Sequence, residues 1–509
     1  SVKDSNLLAQ MSGEINLRQE KPIYNLEGRI DHVDLGRLKI TDTPMQLVSD
    51  FQVNIAMNDL DDLEGKAIFS EAILGTPKKM DLPIHLLTFS SDLKGAKRRY
   101  RLNSDLISVE AEGDFVPSQL QKDMGQLWEE YTLYFTKNES ERTAYYAAKT
   151  HETSRKYVSD FTVICHDAKP ILTRWFPTID LAKNTVFSGS VNKGRSVSLS
   201  LESYPDTLVM GGYKFYQSIF SFQSSKFLGG PEVSSSLVFQ ARRQHLNFLT
   251  PTENLKLDGL WDQDRINFEL DFKQQGDDNS AHLGGVWRFE KDGLSLRFKD
   301  TYLRILGQDW AVDPENKISI QGKELNAEHF LISNQKQSIA LQGSLSMDST
   351  ETLRLRANKF QLGTLAPLFS LKVQGELNAE INIQDWYQHT RLDTWLLVDS
   401  LRLNTFYIGN LQGVGTYNAD LKTMDLNYHL NRLGESVMEV DGTYKPFETR
   451  NKLDITAELN KTNLSILEPF TQGVFSGLAG DASGKLKVKG TLNDPDIEGK
   501  IVLQKAKLF

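Results

Sequence analysis

Residues 266–273 read Ile266-Asn267-Phe268-Glu269-Leu270-Asp271-Phe272-Lys273, with an apolar side chain at every second position and a polar one between. Successive side chains of a strand point to opposite faces, so this period of two gives one apolar and one wet face. The same alternation recurs at Val197, Leu199 and Leu201, at Leu294, Leu296 and Phe298, at Leu353, Leu355 and Ala357, and at Leu426, Tyr428 and Leu430. Strands solvated on one side are characteristic of antiparallel sheets. Turn signals separate them: Gln275-Gly-Asp-Asp-Asn279, Lys291-Asp-Gly293, Asp313-Pro-Glu-Asn316 and Asn493-Asp-Pro-Asp496. That rhythm predicts hairpin after hairpin and a mainly β fold, with little sign of βαβ units.

Helices are expected to be few. The clearest spans Ser118 to Phe135, where Leu120, Met124, Leu127, Trp128, Tyr131 and Phe135 recur at three- and four-residue steps. Ser118 and Gln121 fit a capping box. The stripe predicts a plug or lid seated on a sheet, with a partner-binding helix as the other reading. Lys137 to Lys156 reads as a loop or helix extension.

A weak internal repeat links Ile30-Asp-His-Val-Asp-Leu35-Gly-Arg-Leu38, Ala357-Asn-Lys-Phe-Gln-Leu362-Gly-Thr-Leu365 and Leu459-Asn-Lys-Thr-Asn-Leu464-Ser-Ile-Leu467. The second and third continue as Ala366-Pro-Leu-Phe369 and Glu468-Pro-Phe470, and a degenerate copy lies in 160–190 around Ile171–Pro177. Each copy predicts a strand, a short helical turn, then more strands, an organisation that favours an array over separate globules. The expected division is 1–115 and 159–350 as β repeats, 116–158 as helix and linker, and 351–509 as further repeats.

Composition narrows the function. The 509 residues carry 67 acidic and 58 basic side chains, a net charge of −9, which argues against nucleic-acid binding. The single cysteine, Cys165, excludes an intrachain disulfide and a cysteine-built zinc site. A membrane-spanning helix needs about 20 apolar residues, and the longest uncharged run, Pro469 to Gly480, falls short. No secretory leader opens the chain, and both ends fall inside strand patterns, so an excerpt of a longer protein is expected.

Catalytic signatures are weak. None of the nine histidines belongs to a His-Glu-x-x-His motif. Cys165-His166-Asp167 alternates across a strand, so Cys165 reads as a buried strand cysteine. Gly413-Val-Gly415 fails as a dinucleotide fingerprint, Gly480 to Lys485 has the wrong spacing for a phosphate loop, and Ser188-Gly-Ser190 lacks the pattern of a nucleophile elbow. Asp277-Asp-Asn279 lacks the remaining ligands of a calcium loop. Paired carboxylates on a β scaffold keep a glycan-binding or glycan-cleaving protein as a rival. Lys94, Lys97, Arg98, Arg99 and Arg101 form a basic cluster suited to anionic headgroups or to a solvated hairpin end.

Several stretches, taken in order, resemble the periplasmic AsmA-like superfamily and within it the TamB family. They are Glu112-Gly-Asp-Phe115 before the helix, Gly307-Gln-Asp-Trp310-Ala-Val, Ile318-Ser-Ile, Phe330-Leu-Ile-Ser-Asn-Gln335 and Ile339-Ala-Leu-Gln-Gly343. Gly473-Val-Phe-Ser-Gly477 and Gly484-Lys-Leu-Lys-Val-Lys-Gly490 through Asp494-Pro-Asp-Ile-Glu-Gly499 complete the series. The likeness is good from about Pro231 onward and looser before it.

The resemblance implies an elongated antiparallel β-sheet curled lengthwise into a groove, a β-taco, with a few short helices. It implies a bridge that carries phospholipid between the inner and outer membranes of a Gram-negative bacterium. An inner-membrane anchor outside this segment and a BamA-like outer-membrane barrel would be its partners, with no nucleic acid, cofactor, metal or catalytic residue. Candidate groove residues are Leu199, Phe268, Leu270, Leu296, Leu355, Leu426, Tyr428, Ile455, Leu459 and Ile501. Which parity faces inward stays open, because a one-residue slip inverts every side chain. An outer-membrane assembly factor that templates strands by edge pairing is the alternative function.

Overall fold

The structure is a computed structural model. It describes residues 2–4, 6–38, 41, 44–59, 61–76, 79–95, 97–149, 155–246, 250–365, 373–403, 406–464, 466, 479–491 and 495–507. The chain is mainly β, with neighbouring strands paired antiparallel. Two compact units divide it: Ser1–Asn247 with Pro251–Phe272, and Phe248–Thr250 with Lys273–Phe509. That boundary falls inside the 159–350 stretch that the sequence groups together.

In the N-terminal unit the strands follow one another as a meander from Leu7–Asn16 to Ile107–Gly113. The chain then leaves the sheet for two helices, α1 (Pro117–Thr136) and α2 (Glu139–Ala148). It returns as Tyr157–Cys165, which pairs with the strand it left, Ile107 opposite Cys165. A third helix, α3 (Lys169–Trp175), fills the degenerate repeat, and Ile171 and Trp175 pack on Ala72, Leu82 and Ile84. The long strand Tyr213–Lys226 then pairs along one half with Val197–Ser203 and along the other with Thr207–Met210.

The C-terminal unit opens with two broken rows. Ser280–Phe289 pairs with both Leu294–Phe298 and Tyr302–Ile305. Lys317–Gln321 and Gln308–Val312 form the next row, and both pair with Glu324–Ser333. Where the backbone breaks, side chains take over its hydrogen bonds. The Phe298 amide donates to Asn316 Oδ1 at 2.8 Å, and Asn316 Nδ2 donates back to the Phe298 carbonyl at 2.8 Å. Thr301 Oγ1 likewise accepts from the Gly284 amide at 3.1 Å and donates to its carbonyl at 2.8 Å. Buried backbone groups need such partners, and Asn316 and Thr301 are themselves buried.

The sequence repeat has a structural cause. Strand pairing skips Asp31-His32, Asn358-Lys359 and Asn460-Lys461, the dipeptides at the same place in the three copies. They are β-bulges, and Lys359 and Lys461 sit at φ 49° and 44°. His329 and Ser400 mark two more, at φ 49° and 54°. A bulge bends its strand and raises its twist. Each of the three copies then makes its short turn: Leu35–Leu38 as a turn, Leu362–Leu365 as a 3₁₀ turn, and Leu464 with Ile466 in 3₁₀ conformation. Ile466 is fully buried against Ile408, Leu430 and Val437. The continuations Ala366–Phe369 and Leu467–Phe470, the glycines 473 and 477, and residues 493 and 494 of the 493–496 turn lie outside the described residues.

Candidate functional site: an apolar sheet face and the helix seated on it

Strand register assigns every side chain to a face. In the N-terminal unit one ladder row reads Gly13, Leu26, Val53, Ala67, Phe89, Leu102, Val109, Val163, Phe187, Ser203, Phe220, Phe239 and Leu257. One residue along, on the other face, the row reads Glu14, Asn25, Asn54, Lys66, Ser90, Arg101, Glu110, Thr162, Ser188, Glu202 and Ser221. The apolar side chains on these strands thus share one face across the sheet, because antiparallel partners point the same way.

The C-terminal unit repeats the division. One row runs Leu341, Leu355, Ile381, Thr394, Gly415, Leu426, Gly442, Ile455, Val488 and Ile497. Its counterpart on the opposite face includes Arg356, Glu380, Asn427, Asp441, Thr456, Lys487 and Glu498, interrupted by the exposed Trp395 and Val414. Leu355, Leu426 and Ile455 are half-buried; Leu355 stands beside Ile381, and Leu426 and Ile455 stand on either side of Gly442. Glycines make room for large neighbours. A Cβ on Gly413 would stand 2.1 Å from Cδ1 of Tyr428, the residue directly opposite.

The predicted lining residues fall on these faces. Leu355, Leu426 and Ile455 share the row just given, and Tyr428 lies one row over, between Gly413 and Val440. Leu459 stands between Met438 and Gly484, with Ile501 across from Gly484. Leu296 is flanked by Trp287 and Ile318. Phe268 and Leu270 share one strand of like parity, and Leu270 packs against Phe215, Phe239, Ala241 and Leu255. Two of the ten are not open. Leu459 is 3% exposed in a corner with Leu464 and Ala482. Leu199 lies beneath α1.

That helix crosses the N-terminal sheet. Leu120, Met124, Leu127 and Tyr131 pack on Tyr100, Ala111, Tyr157, Phe161, Val191, Val197 and Leu199. The covered stripe differs from the sequence reading. Trp128 is 73% exposed and points away, while Asp123, Glu130 and Tyr134 are buried. The cap differs too. Val116 is the N-cap and offers no side-chain bond, Pro117 opens the helix, and Asp61 from a distant turn accepts from the Ser118 amide at 2.9 Å. The 137–156 stretch contains α2, with a capping box between Asn138 and Glu141. At the far end Trp261 meets the rings of Tyr131, Tyr134 and Phe135 at 5.4, 5.1 and 5.7 Å.

Two buried charge clusters hold α1 to the apolar face. Asp123 lies 3.3 Å from Lys193 and accepts hydrogen bonds from Tyr157 Oη and Gln119 Nε2, each at 3.0 Å. Glu130 Oε2 lies 2.8 Å from Lys226 Nζ, and Oε1 accepts from Gln126 Nε2 at 2.8 Å, from the Gly229 amide at 3.2 Å and from Lys149. Lys226 directs its hydrogen bonds to the Phe227 and Gly230 carbonyls, so its contact with Glu130 is an ion pair without an aligned hydrogen bond. Burial pushes the Glu130 carboxyl up, but Gln126, Lys149 and Lys226 outweigh it and hold the group below its usual range. Burial depresses the Lys226 ammonium against the pull of Glu130.

The spacing of these groups matches. Lys193, Val197 and Lys226 lie on one ladder row, two strand spacings end to end, about 10 Å. Asp123 and Glu130 are seven residues apart, about 10.5 Å along a helix. Sequence reasoning missed all four. The signals were carboxylates inside the α1 stripe and lysines at the apolar parity of Thr185–Lys193 and Tyr213–Lys226.

The other candidates form no reactive group. Cys165 is buried, which pushes its thiol up and disfavours thiolate. His166 instead contacts Ser108 Oγ at 2.8 Å, and Asp167 pairs with Lys183 at 2.7 Å. In the basic cluster, Arg99 pairs with Glu112, Arg101 with Asp92 at 2.7 Å, and Arg98 bonds the Leu63 carbonyl. Among the described residues no helix is long and apolar enough to cross a membrane, and no metal-holding group of His, Cys, Asp or Glu occurs. No family model, curated protein or solved structure matches the chain.

Proposed function

We propose that the apolar faces hold lipid acyl chains and that the protein carries phospholipid along them, with headgroups at the water boundary. The observation that carries this reading is the sequence of half-buried apolar rows passed from strand to strand, such as the Leu355, Leu426 and Ile455 row. A sheet with one apolar face needs a cover. An acyl chain supplies one without competing for backbone hydrogen bonds, at about 0.8 kcal/mol per buried CH₂.

The resemblance to the TamB family supports the same reading. On that resemblance the protein would lie between inner and outer membranes, anchored to the inner one and paired with a BamA-like barrel. Transport on this account has no catalytic step. Native mass spectrometry of the purified chain tests it. Co-purified phospholipid is expected, with most of it lost when Leu355, Leu426 and Ile455 are changed together to Asp. A folded, lipid-free wild type would overturn it.

A further inference from the structure

The four charges under α1 are not needed to seat an amphipathic helix. A buried ion pair gives a net stability no better than apolar residues of the same volume. Yet α1 sets Asp123 and Glu130 inside its apolar stripe, facing Lys193 and Lys226 on the apolar side of the sheet. The covering helix is therefore apolar along its length and presents a carboxylate at two points, the second shared with Lys149 at the end of α2. Anionic phospholipids have that chemistry: acyl chains for an apolar floor and one phosphate per molecule for an ammonium, so two molecules would meet Lys193 and Lys226.

We propose that α1 occupies the site of anionic phospholipid in the N-terminal unit, its carboxylates standing where phosphates bind. Lys193 and Lys226 are then headgroup-binding residues, exposed to lipid when α1 lifts. Lipid and helix compete for one surface that includes Leu199. This rests on the lipid-carrying reading above and adds a headgroup preference and a control point. It assigns Lys226 a role beyond docking, since a helix held by packing alone would leave no cation behind on the apolar face.

Hydrogen exchange of α1 in the full chain tests this, with and without vesicles of phosphatidylglycerol or of phosphatidylcholine. Phosphatidylglycerol is expected to speed exchange across residues 117–136 by about tenfold or more, and phosphatidylcholine much less. Lys193→Met with Lys226→Met is expected to abolish the difference between the two lipids. The wild-type arm decides the matter even where that variant folds poorly. Protection of α1 unchanged by lipid, while native mass spectrometry finds phospholipid on the protein, overturns the proposal and leaves the carrier reading standing. Equal release by both lipids overturns the headgroup role of the lysines. Unchanged α1 with no phospholipid bound overturns both readings.

Discussion

Glu130 Oε2 lies 2.8 Å from Lys226 Nζ, and neither side chain has any solvent exposure. Removing Glu130 strands the Lys226 ammonium without its carboxylate, whereas removing Lys226 leaves Glu130 paired with Lys149. Glu130→Leu alone is expected to destabilise the protein by about 3–5 kcal/mol. Adding Lys226→Met is expected to restore most of that loss. Urea unfolding followed by circular dichroism measures the cycle, and equal costs for single and double variants would contradict the buried pairing.

The same pair gives a pH dependence. The Glu130 carboxyl is held below its ordinary value of 4.5 in the folded protein. A depressed carboxyl contributes stability that is present above its unfolded pKa and is lost as pH falls through the folded one. Protection of the α1 amides should therefore be unchanged between about pH 8 and pH 5 and fall below pH 4.5. Glu130→Gln should flatten that acid limb. An acid limb of the same size in the variant would assign it to another group.

Asn316 and Thr301 stitch the broken rows of the C-terminal unit. Asn316→Ala leaves the Phe298 amide and carbonyl without their partner. A cost of about 1–3 kcal/mol is expected, as for other buried orphaned groups. Hydrogen exchange at Phe298 should accelerate while the strands beyond Thr352 stay protected. Thr301→Val should do the same at Gly284.

Gly413 lies under the Tyr428 ring. Gly413→Val is expected to cost about 1–3 kcal/mol through overpacking. Pairing it with Tyr428→Ala should recover only part of the loss, because the new Cβ meets the ring at 2.1 Å but also the Asn427 carbonyl oxygen at 2.4 Å. Additive losses in thermal unfolding would show that the ring does not need that space.

The period of two was enough to sort side chains onto faces within each unbroken stretch, and Leu355, Leu426 and Ile455 fall on one row because each precedes the bulge or register shift in its strand. The repeat was visible for a physical reason as well, since Asn358-Lys359 and Asn460-Lys461 are bulges. Other features depend on distant partners. The Asp61 cap on α1 comes from 57 residues upstream of Ser118, so a local capping box was the wrong place to look. Lys193 and Lys226 end their strands, and only register sets them two strands apart beneath two carboxylates. The broken row at 313–316 looks in sequence like an ordinary turn.

The central claim is that lipid lies on one face of the sheet. Photoreactive residues placed singly at Leu355, Leu426 and Ile455, and at Arg356, Asn427 and Thr456 on the opposite face, test it directly in cells making the full-length protein. Phospholipid adducts are predicted at the first three positions and not at the second three. Adducts on both faces alike, or on neither, would contradict the account.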